Sequence, residues 1–238
     1  DIEVIDEYPA RYDVAIARQH RWVRGDWQLL PWVLGWRRAS TGDNRRGAIP
    51  LVGRWKMIDN LRRSLSAPAS FLALLAGWTL PSASAGRWSA FILIVIATPA
   101  LLPFLIGIVP RRLGLSQRIH LRVVGADFAL ALSQTVLLVT FLADQAWTMS
   151  DAILRTLFRL AVSHRNLLEW VTAAQAKISP RLGLAGLYRK MAGGVVLAGA
   201  AAIFVIGVEP GAWPVATPFV LLWLLSPAVA RWISLQPA

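Results

Sequence analysis

The chain has 238 residues, of which 56% are hydrophobic and 16% charged, and its mean hydropathy is +0.51. A soluble domain carries about a quarter charged residues, so this composition indicates a protein whose solvent is largely lipid. The sequence contains no cysteine, which excludes disulfides and thiolate metal sites.

The net charge of +12 would suit a nucleic-acid partner in a soluble protein, but its placement predicts a membrane topology instead. Residues 1–66 hold twelve Lys and Arg side chains and residues 111–190 hold eleven, whereas 67–110 and 191–238 hold one each. Basic zones that alternate with apolar blocks are typical of membrane proteins, and they suit anionic headgroups or a phosphorylated substrate. We therefore predict a lipid bilayer, and not nucleic acid, as a partner.

Residues 1–66 are mixed in composition and predict a cytosolic region with helices at the membrane surface. A strand-like stretch at 2–5 precedes a helix from about Asp13 through Trp36. A second helix over 53–65 carries Trp and basic side chains around an apolar face, which predicts that it lies in the plane of the membrane. The chain begins without an initiator Met or a signal peptide, so we expect a fragment of a longer protein.

Residues 67–238 are predicted to form a membrane domain, with spans near 67–86, 89–109, 191–208 and 212–230. The second span has 21 uncharged residues, which cover about 30 Å of hydrocarbon as a helix.

The region 111–190 is predicted to stay at the cytosolic interface. Its apolar part, 128–143, has 16 uncharged residues. If it crossed the membrane, one basic cluster would lie outside, against the positive-inside rule. The sequence leaves this alternative open. The predicted fold class is mainly α: polytopic membrane helices with in-plane interfacial helices, and both ends cytosolic.

Within the first helix, one string combines bases with aromatic rings: Arg18-Gln19-His20-Arg21-Trp22-Val23-Arg24-Gly25-Asp26-Trp27. Arg18 and Arg21 share a helix face, with Trp22 one turn beyond Arg18. Two guanidinium groups could bind a diphosphate through charge-assisted hydrogen bonds, and the indole could stack on a sugar ring. Composition alone favours the other interpretation, that these are ordinary interfacial Arg and Trp side chains that border a membrane.

Other chemistry-bearing residues are better explained without a site. His20, His120 and His164 have no partner at metal-ligand spacing, so no metal site is predicted. The acidic residues Asp1, Glu3, Asp6, Glu7 and Asp13 are expected to form a solvated, partly structural face and not a catalytic pair. Interface anchoring is predicted for a set of tryptophans: Trp55, Trp78, Trp88, Trp147, Trp170, Trp213 and Trp232.

Arg18-x-x-Arg21-Trp22 resembles the (Gln/Arg)-x-x-Arg-Trp motif of processive β-glycosyltransferases, where it lies on an in-plane helix just before membrane spans. Longer strings are similar to the cyclic β-1,2-glucan synthases. They are Tyr12-Asp13-Val14-Ala15, the run from Ala17 to Trp32, the run from Arg54 to Leu65, and the run from Arg165 to Ala176. The likeness covers nearly the whole chain.

The resemblance implies a large inner-membrane enzyme of a Gram-negative bacterium. Such an enzyme would use UDP-glucose and a divalent metal (Mg or Mn) to build a growing β-1,2-glucan and cyclise it. The rest of the polypeptide would include a C-terminal phosphorylase-like domain. Residues 1–66 would be the C-terminal end of the cytosolic α/β glycosyltransferase domain. By the motif, the substrate-binding residues would be Arg18, Arg21 and Trp22, with weaker candidates Gln19, His20, Asp26 and Trp27.

No catalytic residue is identified in the chain itself. The acidic metal and base residues of the family precede the motif, so this fragment is expected to be inactive alone. Two alternatives remain open: a module that moves glucan across the membrane, and a plain membrane anchor.

Overall fold

The computed structural model describes residues 10–35, 49–80, 84–109, 117–165 and 182–235. Helices account for 89% of these residues, and no strand occurs among them. The prediction of a mainly helical chain is therefore confirmed. The strand-like stretch predicted at 2–5 lies outside the described residues.

The described residues are almost entirely helical. In chain order the helices are α1 (Tyr12–Gln28), α2 (Leu30–Val33), α3 (Leu51–Thr79), α4 (Ala85–Gly107), α5 (Gln117–Thr140), α6 (Leu142–Phe158), α7 (Leu184–Lys190), α8 (Ala192–Val208) and α9 (Trp213–Ile233). A π-helical turn, Arg159–Ser163, extends α6, and a 3-10 turn, Pro210–Ala212, precedes α9.

The helix predicted from Asp13 through Trp36 is divided at Leu29. Proline has no backbone N–H and is tolerated in the first turn of a helix, and Pro31 occupies that place in α2. Gly35 follows with a φ of +73°, a left-handed conformation that glycine adopts at helix ends. Trp36 lies outside the described residues.

Helix α3 is continuous from Leu51 to Thr79, with Pro68 inside it. The in-plane helix predicted over 53–65 and the first half of the span predicted near 67–86 are therefore parts of one element. The sequence pattern suggested a break because the charge density falls sharply after Arg63, but charge does not interrupt backbone hydrogen bonding.

In the described ranges, three helical stretches are long and apolar enough to cross a membrane: Ala85–Gly107, Gln117–Thr140 and Pro210–Ile233. The bent pair formed by α7 and α8 would be a fourth. By this measure α5 is a candidate span, although we predicted that 128–143 stays at the interface. The helix begins eleven residues before Phe128, so Asp127, which directly precedes the uncharged run, lies inside it.

The chain forms two compact units. Unit 1 comprises Asp1–Ala69, Gln145–Gly194 and Pro227–Ala238, and unit 2 comprises Ser70–Asp144 and Val195–Ser226. These units interleave along the sequence. The predicted functional division into 1–66 and 67–238 is a different one, and it stays a prediction.

The core of unit 2 is built around two buried tryptophans. Trp78 and Trp223 are 1% and 0% exposed, with ring centroids 5.9 Å apart. The indole N–H of Trp78 donates to Ser89 Oγ at 2.8 Å, and that of Trp223 donates to the Val139 carbonyl at 3.0 Å. The prediction that Trp78 anchors the protein at the membrane surface is therefore wrong, because its ring is enclosed by other aromatic side chains.

We expect Gly77→Ala to destabilise unit 2. A methyl group on Gly77 would overlap the ring of Trp88, and the Trp88 N–H is held by the Ala73 carbonyl at 2.6 Å. Overpacking of this kind costs about 1–3 kcal/mol, and it should lower the thermal unfolding midpoint of the full-length protein in detergent. Gly199→Ala is the matched control, since nothing lies within 4 Å of a methyl group there. Equal midpoints for the two variants would contradict the expectation.

Candidate functional site

Helix α1 packs through one face against the rest of unit 1. Ile16 and Val23 are 7% and 5% exposed, and they join a buried cluster with three residues of α6: Met149, Ala152 and Ile153. Residues seven positions apart lie on the same side of a helix, so these two positions define the buried face of α1.

The motif side chains lie on the opposite face of α1. Successive residues in an α-helix turn by about 100°. Arg18, Arg21 and Trp22 therefore share a face that points away from Ile16 and Val23. The Trp22 side chain is 56% exposed, and both arginines are half-buried. Unit 1 thus presents two positive charges and an indole together.

Arg18 stacks on the indole of Trp22. Its Cζ atom lies 4.7 Å from the ring centroid, which is a cation–π contact worth about 0.5–1 kcal/mol at an exposed site. The contact restrains the orientation of the ring. A sugar could stack only on the part of the indole that Arg18 leaves uncovered.

The Arg21 guanidinium has no hydrogen bond or ion pair with any residue in the described part of the chain. An arginine side chain carries a fixed positive charge and five N–H donors in a planar fork. As far as the described residues go, Arg21 is therefore a group that can receive an anionic ligand without first losing a partner.

The weaker candidates are mostly engaged inside unit 1. His20 Nε2 is 3.0 Å from Asp151 Oδ2, and the Trp27 indole N–H donates to Ser64 Oγ at 2.8 Å. Asp26 Oδ1 accepts a hydrogen bond from Asn60 Nδ2 at 3.2 Å, whereas Gln19 is exposed. A role for these four residues in substrate binding stays a prediction.

The start of α1 is held by a buried carboxylate. Asp13 is 6% exposed and pairs with Arg11 at 2.7 Å and with Lys190 at 3.7 Å. The Tyr12 backbone N–H donates to Ser234 Oγ at 3.1 Å. The expectation that Asp13 belongs to a solvated acidic face is therefore wrong, because burial here is offset by two basic partners. The other four acidic residues of that set lie outside the described residues.

Asp151 is ionised where it contacts α1. Burial tends to raise the pKa of its carboxyl, but hydrogen bonds from Arg155 and His20 outweigh this effect and hold the pKa below its ordinary value. The Arg155 Nε–H donates to Asp151 Oδ1 at 2.7 Å. The two oxygens of Asp151 thus have different partners, one on its own helix and one on α1.

We expect Asp26→Asn to change the pH dependence of stability. Burial raises the pKa of Asp26, and the hydrogen bond from Asn60 and the charge of Arg63 only partly offset this. When the pKa of a carboxyl is higher in the folded than in the unfolded protein, protonation stabilises the fold. This stabilisation is complete below the pKa of the unfolded chain, about 4, and it is lost as the pH rises through the pKa of the folded protein. The variant should therefore unfold at the same or a higher temperature than wild type at neutral pH.

The matched control is Asp59→Asn, for which we expect a change in stability of the opposite sign. A hydrogen bond from Arg62, with a second from Arg63, lowers the pKa of Asp59 despite some burial. The ionised carboxylate of Asp59 stabilises the fold at any pH above the pKa of the unfolded chain. This stabilisation is lost as the pH falls through the pKa of the folded protein. Asp59→Asn should thus lower the unfolding midpoint at neutral pH. The same sign for both variants would contradict this account.

Unit 2 contains a groove of about 510 Å³. Its lining is aliphatic and aromatic, and includes Leu93, Leu101, Val136, Val139, Phe219 and Leu222. Thr135 also lines it, but its hydroxyl donates to the Ala131 carbonyl at 2.8 Å. The groove offers no cluster of polar groups that could replace the water around a sugar.

Among the described residues, no group of three or more His, Cys, Asp or Glu side chains is arranged to hold a metal ion. This part of the chain therefore offers no fitted site for a divalent cation. No catalytic step can be derived through a metal from these residues.

The contacts of α1 with Asp151, Ser64 and Asn60 were not predicted from the sequence. The spacing of Asp151 and Arg155 does suit an ion pair along one helix face. Nothing in the local pattern connects Asp151 with His20, which lies 131 positions earlier.

No protein-family model matches the chain. It is 37% identical, over 235 residues, to the cyclic β-(1,2)-glucan synthase NdvB of Rhizobium meliloti (strain 1021). The match covers 98% of this chain but only 8% of the length of that protein. The predicted resemblance to the cyclic β-1,2-glucan synthases is therefore confirmed, and the chain aligns with a short segment of that protein.

Proposed function

We propose, on the premise of this similarity, that the chain is a segment of a membrane glycosyltransferase that polymerises glucose from UDP-glucose into cyclic β-1,2-glucan. The segment supplies the Arg-x-x-Arg-Trp motif and membrane spans, and it is inactive alone. One observation carries the proposal: Arg18, Arg21 and Trp22 project together from the outward face of a helix whose other face is fixed.

In this proposal Arg21 binds the diphosphate of the sugar donor. Negative charge grows on the leaving UDP as the bond from glucose to phosphate breaks. A guanidinium fork that already points at this position stabilises the transition state more than the ground state. Its lack of a partner among the described residues supports this assignment.

Trp22 would carry the end of the acceptor glucan, and Arg18 would set its position. The aliphatic C–H groups of a glucose ring can stack on an indole, and this indole is 56% exposed. Arg18 restrains the ring through their contact and brings a second positive charge to the donor side. Donor and acceptor groups would thus be adjacent on one helix.

The remaining chemistry belongs to other parts of the enzyme. The carboxylates that bind a divalent cation (Mg or Mn) and the catalytic base would precede this segment, and the cation would neutralise charge on the donor diphosphate. The segment would lie in the inner membrane of a Gram-negative bacterium, with both ends cytosolic. Its other partners would be the bilayer, the growing glucan and the rest of the polypeptide, including a phosphorylase-like domain.

The proposal is tested with the full-length enzyme in membranes. We expect radiolabelled glucose to pass from UDP-glucose into cyclic glucan, and removal of residues 10–35 to abolish the transfer while the rest still inserts. Transfer that persists without these residues would refute the proposal. If residues 67–238 can be replaced by unrelated spans without loss of transfer, the membrane part is only an anchor.

A further inference from the structure

Several directional contacts hold α1, among them the Trp27–Ser64 and Asp26–Asn60 hydrogen bonds near its C-terminal end. The contacts of Ile16 and Val23 with the α6 cluster are apolar, and such contacts have little directional preference. Hydrogen bonds are directional. A hydrogen bond joins Asp151 to His20, which immediately precedes Arg21 in the sequence.

The Asp151 end of this contact is itself held in place. Arg155 donates to the other carboxylate oxygen from one turn further along α6. The side chains of His20 and Asp151 are 23% and 26% exposed, so water competes only partly for their contact. A charged acceptor makes such a bond stronger than one between neutral groups.

We propose that Asp151 is a positioning residue, which acts through His20 to set the direction in which Arg18, Arg21 and Trp22 project from α1. A rotation of about 10° moves a group at a radius of about 6 Å by about 1 Å. A misplacement of about 1 Å at a reacting centre can cost about 10²-fold in rate. The inference rests on the proposed function of the motif.

The test uses Asp151→Asn in the full-length enzyme. We expect kcat/KM for UDP-glucose to fall by about 10- to 100-fold, while membrane yield stays close to wild type and the thermal unfolding midpoint falls no further than in Asp59→Asn. His20→Phe keeps a ring of similar shape without its nitrogen, and it should cause a similar loss. Because both changes weaken the same contact, the double variant should lose less than the product of the two single losses.

Asp59→Asn is the control, since Asp59 also pairs with arginines on its own helix, at 2.8 Å and 2.6 Å, but has no hydrogen bond to α1. It should leave kcat/KM within about twofold of wild type. Asp151→Glu should recover part of the lost rate, because it restores the charged acceptor.

Three results would overturn the inference: an Asp151→Asn enzyme as active as wild type, losses that multiply in the double variant, or a loss of activity that follows a matching loss of folded protein. Failure of the proposed function would look different. In that case Trp22→Ala would itself retain turnover, whatever Asp151→Asn does.

Discussion

Trp22→Ala is expected to reduce glucan synthesis by the full-length enzyme by 10²-fold or more, on the order of the loss for a misplaced reacting group. The indole is the exposed aromatic surface of α1 beside two positive charges. Without it, the acceptor end would have no platform next to the donor. Insertion of the protein into the membrane should persist, because Trp22 is outside the buried face of α1.

The measurement is glucose transfer from UDP-glucose in membranes with equal amounts of enzyme. Trp55→Ala is the matched control, since Trp55 is 69% exposed and lies on α3. It should retain most of the activity. Wild-type turnover in the Trp22 variant, or equal losses in the two variants, would contradict the assignment.

Arg21 offers a sharper version of the same test. Arg21→Ala should abolish transfer because it removes the positive charge. Arg21→Lys should retain only part of the activity. A lysine supplies a positive charge but not a planar pair of N–H donors. Full activity of Arg21→Lys would show that charge alone matters at this position, and full activity of Arg21→Ala would refute a role in donor binding.

Trp223→Ala is expected to have the largest effect on stability, about 3–5 kcal/mol. The side chain is fully buried, and its ring centroid lies 4.9 Å from that of Phe71 and 5.9 Å from that of Trp78. Truncation would leave a cavity among aromatic rings. It would also remove the indole N–H that donates a hydrogen bond to the Val139 carbonyl. Both effects destabilise the same core.

The loss should appear as a lower thermal unfolding midpoint in detergent and a smaller yield of folded protein. Trp223→Phe keeps a ring and should lose less. Trp232→Ala is the control on the same helix, because Trp232 is 73% exposed and its truncation leaves no cavity. Similar midpoints for Trp223→Ala and Trp232→Ala would contradict the burial of Trp223.

Much of the helical content and the arrangement of the motif followed from local sequence. Long uncharged runs predicted helices that suit a bilayer, because backbone groups in hydrocarbon must be satisfied within the helix. The spacing of Arg18, Arg21 and Trp22 predicted their common face, because the turn per residue is a property of every α-helix. Neither inference needs a distant part of the chain.

The same local reasoning failed where a residue's role depends on distant partners. Trp78 is a tryptophan near the end of a predicted span, as an interface anchor would be. In the structure it is enclosed by Phe219 and Trp223, which lie 141 or more positions later in the sequence. The local sequence around Asp13 suggests a solvated carboxylate, but the structure brings Lys190 close to it. Burial depends on which helices pack together. The apolar periodicity of a helix predicts that one face is buried, but not which other helix covers that face.

The sequence by itself determined that the chain is helical, apolar enough for a bilayer, and equipped with two arginines and an indole on one helix face. The tertiary structure alone decided which face of α1 is buried, and that Asp151 contacts His20 across 131 positions. The physical reason is that helix geometry is set by hydrogen bonds four residues apart. The orientation of a helix in a protein is set instead by contacts between residues that are distant in the chain.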